Sequence, residues 1–160
     1  MKSFSVTPRL DSVVLWLSIM TLLVLASCLP ALAQTIDSQD SVSVTVIRVV
    51  DGDTFFCTNG TDTAKVRILG FDAFETRNGD RLDKQAVRAG ISVERALSLG
   101  NKAKDEAIET LFEKTVIIHR GTKRAPNRDL YGRYLRYVLI NGEDFADLMI
   151  RRGYAAPYKR

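Results

Sequence analysis

Residues 42–71, VSVTVIRVVDGDTFFCTNGTDTAKVRILGF, decide the fold. Val42, Val44 and Val46 alternate with Ser43, Thr45 and Ile47, a period-two pattern rich in β-branched side chains that predicts a strand. Residues 54–58 and 63–71 have the same character. Asn59-Gly60 between them is a hairpin signal, because both positions accept positive φ. Asn59-Gly60-Thr61 also reads as a glycosylation sequon, but the turn accounts for it without a sugar. Three antiparallel strands are therefore expected.

Downstream, residues 78–98 are charged and contain Gly79 and Gly90, with short helical potential over 93–97; this segment reads as a surface excursion. From Gly100 the period changes. Ala103, Ala107, Ile108, Leu111 and Phe112 fall on one helical face, with Lys102, Lys104, Asp105, Glu106 and Glu109 largely on the other, and Lys114 ends the run. Two more strands are expected at 115–120 and 133–140, separated by a polar, basic loop at 121–129. Asn141-Gly142 then turns the chain into a short helix over 144–152, where Gly153 offers a stop and Arg151 and Arg152 suit the negative helix end. The pattern is mainly β with helices, in the α+β class. Five short strands, a helix inserted after the third and a C-terminal helix match the OB-fold, a partly open five-stranded β-barrel that binds oligonucleotides and oligosaccharides.

The N-terminus reads as a processing segment. Lys2 and Arg9 are basic, residues 13–26 are uncharged and mostly apolar, and Ala31-Leu32-Ala33 before Gln34 fits a small-residue cleavage site. The expected division is a signal peptide at 1–33, a flexible lead-in at 34–41 and one domain at 42–160. Two other readings stay open: Leu25-Ala26-Ser27-Cys28 resembles a bacterial lipobox, which would leave 1–27 as the signal and Cys28 lipidated, and the apolar run could remain as an uncleaved anchor. All three place the domain outside the cytoplasm, secreted, periplasmic or at the cell envelope.

Without that segment, which holds Lys2, Arg9 and Asp11, the net charge falls from +4 to +3. Such mild basicity suits an anionic polymer and equally an ordinary surface. Only Cys57 remains besides Cys28, so no internal disulfide can staple an exported form, and stability must come from the core. His119 is the single histidine and lies in an apolar run, where it reads as a strand residue. The usual His and Cys zinc sites are excluded, and a Ser-His-Asp arrangement would have to use His119. Carboxylates, arginines and an oxygen-liganded metal are left for any catalysis.

Those residues occur in three short segments: Asp51-Gly52-Asp53-Thr54, then Arg67-Ile68-Leu69-Gly70-Phe71-Asp72-Ala73-Phe74-Glu75, then Asp129-Leu130-Tyr131-Gly132-Arg133. Asp53 opens the second strand, while Asp72 and Glu75 follow the third, so hairpin pairing can gather them at one end of the sheet. A divalent cation relieves the repulsion within such a cluster, and an all-oxygen site on flexible turns suits calcium. Arg67 and Arg133 can each grip two phosphate oxygens and neutralise charge growing at phosphorus, which makes them candidate phosphate clamps. One obstacle is geometric. Arg67 and Asp72 are an odd number of positions apart and would point to opposite faces of a plain strand, unless Gly70 marks a bend or bulge.

The order and spacing of these segments resemble the staphylococcal nuclease (thermonuclease) family, whose hallmarks are Asp-Gly-Asp-Thr, an Arg five residues before an Asp-x-Pro-Glu turn, and a later Asp-x-Tyr-Gly-Arg. The resemblance covers roughly residues 44–158 and implies the OB-fold independently. It implies Asp53 and Asp72 as direct Ca2+ ligands with the backbone carbonyl of Ala73, Asp51 as a turn or supporting residue, and Glu75 as the general base acting on water. Tyr131 is a candidate for stacking or hydrogen bonding to substrate, and Tyr158 for part of a base-binding wall. The implied activity is calcium-dependent hydrolysis of DNA and RNA leaving 3′-phosphate ends, by a protein expected to be a monomer. Phe74 departs from the family pattern, replacing the proline before the glutamate, and Leu130 stands where a basic or aromatic residue is common. Two other function classes remain: a noncatalytic OB-type nucleic-acid-binding module, and an envelope protein that binds polysaccharide.

Overall fold

The computed structural model describes residues 35–37, 40–122 and 124–158, with the side chains of 156–158 outside that set. The expected export segment at 1–33, with Cys28, and Gln34 and Lys123 also lie outside the described residues.

Strand β1 (Ser41–Asp51) pairs antiparallel with β2 (Thr54–Thr58), which pairs antiparallel with β3 (Thr63–Ile68). Val44 and Val46 are buried as the alternation requires. A register shift between Val46 and Arg48 then leaves Ile47 half-exposed, the usual effect of one extra residue in a strand. The β2–β3 hairpin forms as expected, with a different turn. Thr58 pairs with Thr63, so the loop has four residues, and Asn59 Oδ1 accepts from the Thr61 and Asp62 amides at 3.1 and 2.8 Å. Only Gly60 of the two turn residues has positive φ. The two-residue form occurs at Asn141-Gly142 instead, with φ of 52° and 81°.

After the helices, β5 (Thr115–His119) pairs with β1, and β6 (Tyr134–Ile140) pairs with β5 and, in parallel, with β3. That parallel pairing closes a five-stranded barrel, where a partly open one was expected. β7 (Glu143–Asp144) adds a short ladder to β6. β4 (Gly70–Ala73) leaves the barrel and pairs with β8 (Ala155–Tyr158). The fold is α+β, an OB-type barrel with three helices among the described residues.

Those helices are α1 (Asp80–Ala89), α2 (Val93–Leu111) and α3 (Phe145–Arg151). Here the surface-excursion reading of 78–98 is corrected: α1 occupies its first half, and α2 begins at Val93 rather than Gly100. Ser92 caps α2 by accepting the Arg95 amide at 3.2 Å. Gly90 ends α1 in the left-handed region at φ 66°. Leu82, Ala86 and Ala96 form a small core between α1 and α2, against which Phe74, Ile91 and Leu97 pack.

The main core gathers Val44, Val46, Phe55, Ile68, Phe71, Ala103, Leu111, Ile118, Val138, Phe145 and Met149. Burying each of the larger apolar side chains contributes about 1.5–3 kcal/mol, which is how a chain without a disulfide among the described residues holds together. Ile36 belongs to this core, so the lead-in expected to be flexible over 34–41 is anchored at that residue. Cys57 is buried, donates weakly to the Ala64 carbonyl at 3.8 Å, and burial pushes its thiol up to about 12, which leaves it unreactive. His119 stacks on Tyr137 as a strand residue, with ring centroids 5.3 Å apart.

Candidate active site

The site begins at the β1–β2 turn. Asp51 Oδ1 accepts the Asp53 amide at 3.1 Å, so Asp51 shapes the turn that presents Asp53. The Asp53 carboxylate is buried. It accepts from the Thr54 hydroxyl at 3.0 Å and from the Ala73 amide at 3.0 Å, and it pairs with Arg67. Arg67 sits opposite Thr54 in the β2–β3 ladder, and its Nη2 donates to Asp72 Oδ1 at 2.6 Å. One guanidinium thus joins the two carboxylates.

The odd spacing of Arg67 and Asp72 is resolved by the chain path. β3 ends at Ile68, the backbone turns at Gly70 with φ 99°, and β4 sets out in a new ladder with β8. A side chain at position 70 would be strained there, and its Cβ would meet the Ala146 Cβ at 2.8 Å. Burial pulls the Arg67 pKa below its ordinary value, while the charge of Asp72 opposes that shift. The group remains a cation at neutral pH.

Arg133 immediately precedes β6, the strand that pairs in parallel with β3. Its Nε donates to Asp129 Oδ2 at 2.7 Å and its Nη1 to the Thr54 hydroxyl at 3.2 Å. A continuous chain therefore runs from Arg133 through Thr54 to Asp53, Arg67 and Asp72. Asp129 also accepts the Tyr131 and Arg133 amides at 3.0 Å each, fixing the turn. Burial acts to raise the Asp129 pKa, but the hydrogen bonds and charge of Arg133 outweigh it and hold the carboxyl below its usual range.

A carboxyl depressed in the native state stabilises the fold above its unfolded value of about 3.9, and that contribution is lost as pH falls through the native value. Asp129→Asn is thus expected to be less stable than wild type at pH 7 by about 1.5–3 kcal/mol, the range for hydrogen bonds to charged groups. Urea unfolding should show the gap narrowing as pH drops below about 4. A gap that is constant with pH would contradict this role.

Glu75 follows β4. Its amide donates to Gln85 Oε1 at 2.9 Å, and its carboxylate accepts from Arg81 Nε at 2.8 Å. Arg81 Nη2 is also 3.7 Å from Asp72 Oδ1. Glu75 faces a second depression shared with Asp51, Arg77, Asn101 and Lys104, not the cleft that holds Arg67 and Arg133. Phe74, which stands where the family pattern has proline, packs against the α1–α2 core. Gly100 seats the same turn on α2, since a Cβ there would lie 2.4 Å from the Glu75 carbonyl oxygen.

Gln85 was not legible as a site residue. Its Nε2 donates to Asp72 Oδ2 at 3.2 Å and to the Ala73 carbonyl at 3.0 Å, while its Oε1 holds Glu75. Its signal was the spacing Leu82, Gln85, Ala86, one helical stripe in a segment read as a loop. Thr54 was visible within its motif but carried no assigned role. Tyr131 is 81% exposed, with the Arg133 guanidinium 5.6 Å from its ring centroid. For Tyr158 the backbone pairs with Gly70, and its side chain lies outside the described residues.

Arg67, Asp72, Gln85, Tyr131 and Arg133 line a cleft of about 340 Å³. Among the described residues no group of three His, Cys, Asp or Glu side chains is placed to hold a metal ion. Asp53, Asp72 and the Ala73 carbonyl nonetheless fit a hard cation in donor chemistry, being all oxygen with two carboxylates held against one guanidinium.

A family model described as staphylococcal nuclease homologue matches residues 65–160, so Asp53 and Thr54 precede the matched segment. An uncharacterized protein of Methanocaldococcus jannaschii, MJ1439, is 33% identical over 130 residues, covering 77% of this chain and 62% of that protein. The matched segment carries the Arg67 to Glu75 and Asp129 to Arg133 residues on the barrel described above, and the chain belongs to the staphylococcal nuclease homologue family.

Proposed function

We propose that this chain is an exported, calcium-dependent phosphodiesterase that hydrolyses DNA and RNA and leaves 3′-phosphate ends. The observation that carries the reading is the convergence of Arg67 and Arg133 with Asp53 and Asp72, linked through Thr54. The parallel β3–β6 ladder, with Val66 opposite Tyr134, brings Arg67 and Arg133 to one cleft, and two guanidinium groups held there suit an anion lying between them.

Asp53, Asp72 and the Ala73 carbonyl would hold the calcium ion, which when bound supplies Lewis-acid charge stabilisation at the phosphodiester. Arg133, oriented by Asp129, would donate to the phosphate oxygens as charge accumulates on them. Arg67 would do the same from the opposite side. Glu75 would take a proton from the attacking water as its oxygen bonds to phosphorus, while the bond from phosphorus to the 5′ oxygen breaks and that oxygen takes up a proton from solvent, leaving a 3′-phosphate and a 5′-hydroxyl end. For that step its carboxylate has to leave Arg81. Export rests on the basic start, apolar run and Ala31-Leu32-Ala33 of the leader.

One observation favours a second reading, a noncatalytic nucleic-acid-binding module: Glu75 is paired with Arg81 and lines a neighbouring depression, reaching the cleft only through that arginine. A gel assay with single-stranded DNA and RNA separates the two. Degradation in calcium that stops with chelator supports the enzyme; binding without degradation supports the module.

A further inference from the structure

We propose that helix α1 forms a cationic wall beside this site, on which Lys84 and Arg88 bind the phosphates of a single-stranded polynucleotide next to the point of attack. The inference rests on reading the cleft as a nucleic-acid site and adds what selects a polymer over a short phosphodiester.

Arg81, Lys84 and Arg88 line the same cleft as Arg67 and Arg133. With Gln85 they fall at positions i, i+3, i+4 and i+7, a single stripe along the helix. At 1.5 Å per residue the three cations extend about 10 Å along the axis, room for more than one phosphate. The stripe is held in place from behind. Leu82 and Ala86 are buried in the small core against α2, and Gln85 is hydrogen-bonded to Asp72, Ala73 and Glu75.

Charge gives the wall its partner. Asp72 and Asp129, the two carboxylates lining the cleft, are each committed to an arginine, Arg67 and Arg133. Lys84 and Arg88 are exposed and have no carboxylate partner among the described residues. Three exposed arginines elsewhere are engaged: Arg151 pairs with Glu143, Arg152 with Glu106, and the Arg128 guanidinium lies 3.7 Å over the Tyr134 ring. Cations gathered at one cleft raise its positive potential and favour an extended anion. Across the cleft, Leu130 and Tyr131 are 102% and 81% exposed. An uncovered aromatic ring beside a row of cations suits bases that are free to stack, as in a single strand and not a paired duplex.

The test is binding of a labelled single strand of about a dozen nucleotides, followed by fluorescence anisotropy in chelator. Binding is then decided whether or not the protein cleaves, so failure of this inference is distinct from failure of the proposed activity. The double variant Lys84→Gln/Arg88→Gln alters two exposed side chains. It should weaken binding about tenfold or more and reduce the salt slope by about 1.4, roughly 0.7 for each single-strand phosphate that is no longer neutralised. Lys102→Gln/Lys114→Gln removes the same charge from exposed positions outside the cleft and should cost far less. Loss of cleavage should likewise be greater for the long strand than for a dinucleotide. Wild-type affinity and salt slope in the α1 variant, an equal loss in the control, or tighter binding of a duplex than of the single strand would each overturn the proposal.

Discussion

Asp53→Ala is expected to bring calcium-dependent cleavage below detection, a loss of ~10³-fold or more on the scale set by deleting one preorganised electrostatic group. The substitution removes a proposed calcium ligand and also the group that aligns its neighbours. Asp53 accepts the Ala73 amide and the Thr54 hydroxyl and pairs with Arg67, so without it Arg67 keeps only Asp72 and the link to Arg133 is broken. A buried amide and a buried guanidinium would lose partners, which destabilises the fold as well. Asp53→Asn separates the two effects, since it keeps the shape and one acceptor oxygen while removing the charge. Loss of cleavage in folded Asp53→Asn, with a smaller loss of thermal stability than Asp53→Ala shows, is the expected result. Cleavage at the wild-type rate by either variant would remove Asp53 from the site.

Glu75→Gln should lower turnover by ~10²-fold or more, the usual range for a general base, while leaving affinity for single-stranded DNA close to wild type. Binding is spared because proton transfer matters in the transition state and not in the ground state. The fold should be little affected. Glu75 and Arg81 are both substantially exposed, and a pair of that kind contributes at most about 1 kcal/mol. The readouts are single-turnover cleavage and anisotropy on the same strand. An undiminished rate would exclude Glu75 as the base, which its position on the neighbouring depression makes a real alternative.

The parts of the barrel legible in the sequence were those where one face is buried and the other wet. Alternation at Val42, Val44 and Val46 marks such a strand, and Asn59-Gly60 marks a hairpin whatever its detailed turn type, whereas Asn141-Gly142, read only as a turn into a helix, also closes the short β6–β7 hairpin. The site's arginines and carboxylates were legible because they stand in compact motifs, and Gly70 already pointed to the bend that joins Arg67 to Asp72. Helix α1 was obscured by its charge: only Leu82, Gln85 and Ala86 are buried, too few to raise a periodic signal above a polar background. Gly100 misled for a different reason. It reads as a helix boundary, but it lies inside α2 because the backbone of Phe74 and Glu75 needs the space of its missing side chain. The basic loop at 121–129 stands out by composition, yet its Arg128 is taken up by Tyr134 and Asp37, and Lys84 and Arg88 of the cleft stand on α1. The stripe of Leu82, Gln85 and Ala86 marks Gln85 at most as a buried helical position, since its three hydrogen bonds depend on where two turns and a helix meet in space.

The central claim is that the cleft between Arg67 and Arg133 hydrolyses phosphodiesters with calcium, and the most direct measurement is the initial rate of cleavage of single-stranded DNA and RNA by the purified chain, in calcium and in chelator, with the product ends mapped. The account predicts breakdown of both polymers in calcium, none in chelator, and 3′-phosphate ends. No cleavage of either polymer at millimolar calcium by folded protein that still binds the strand would contradict it.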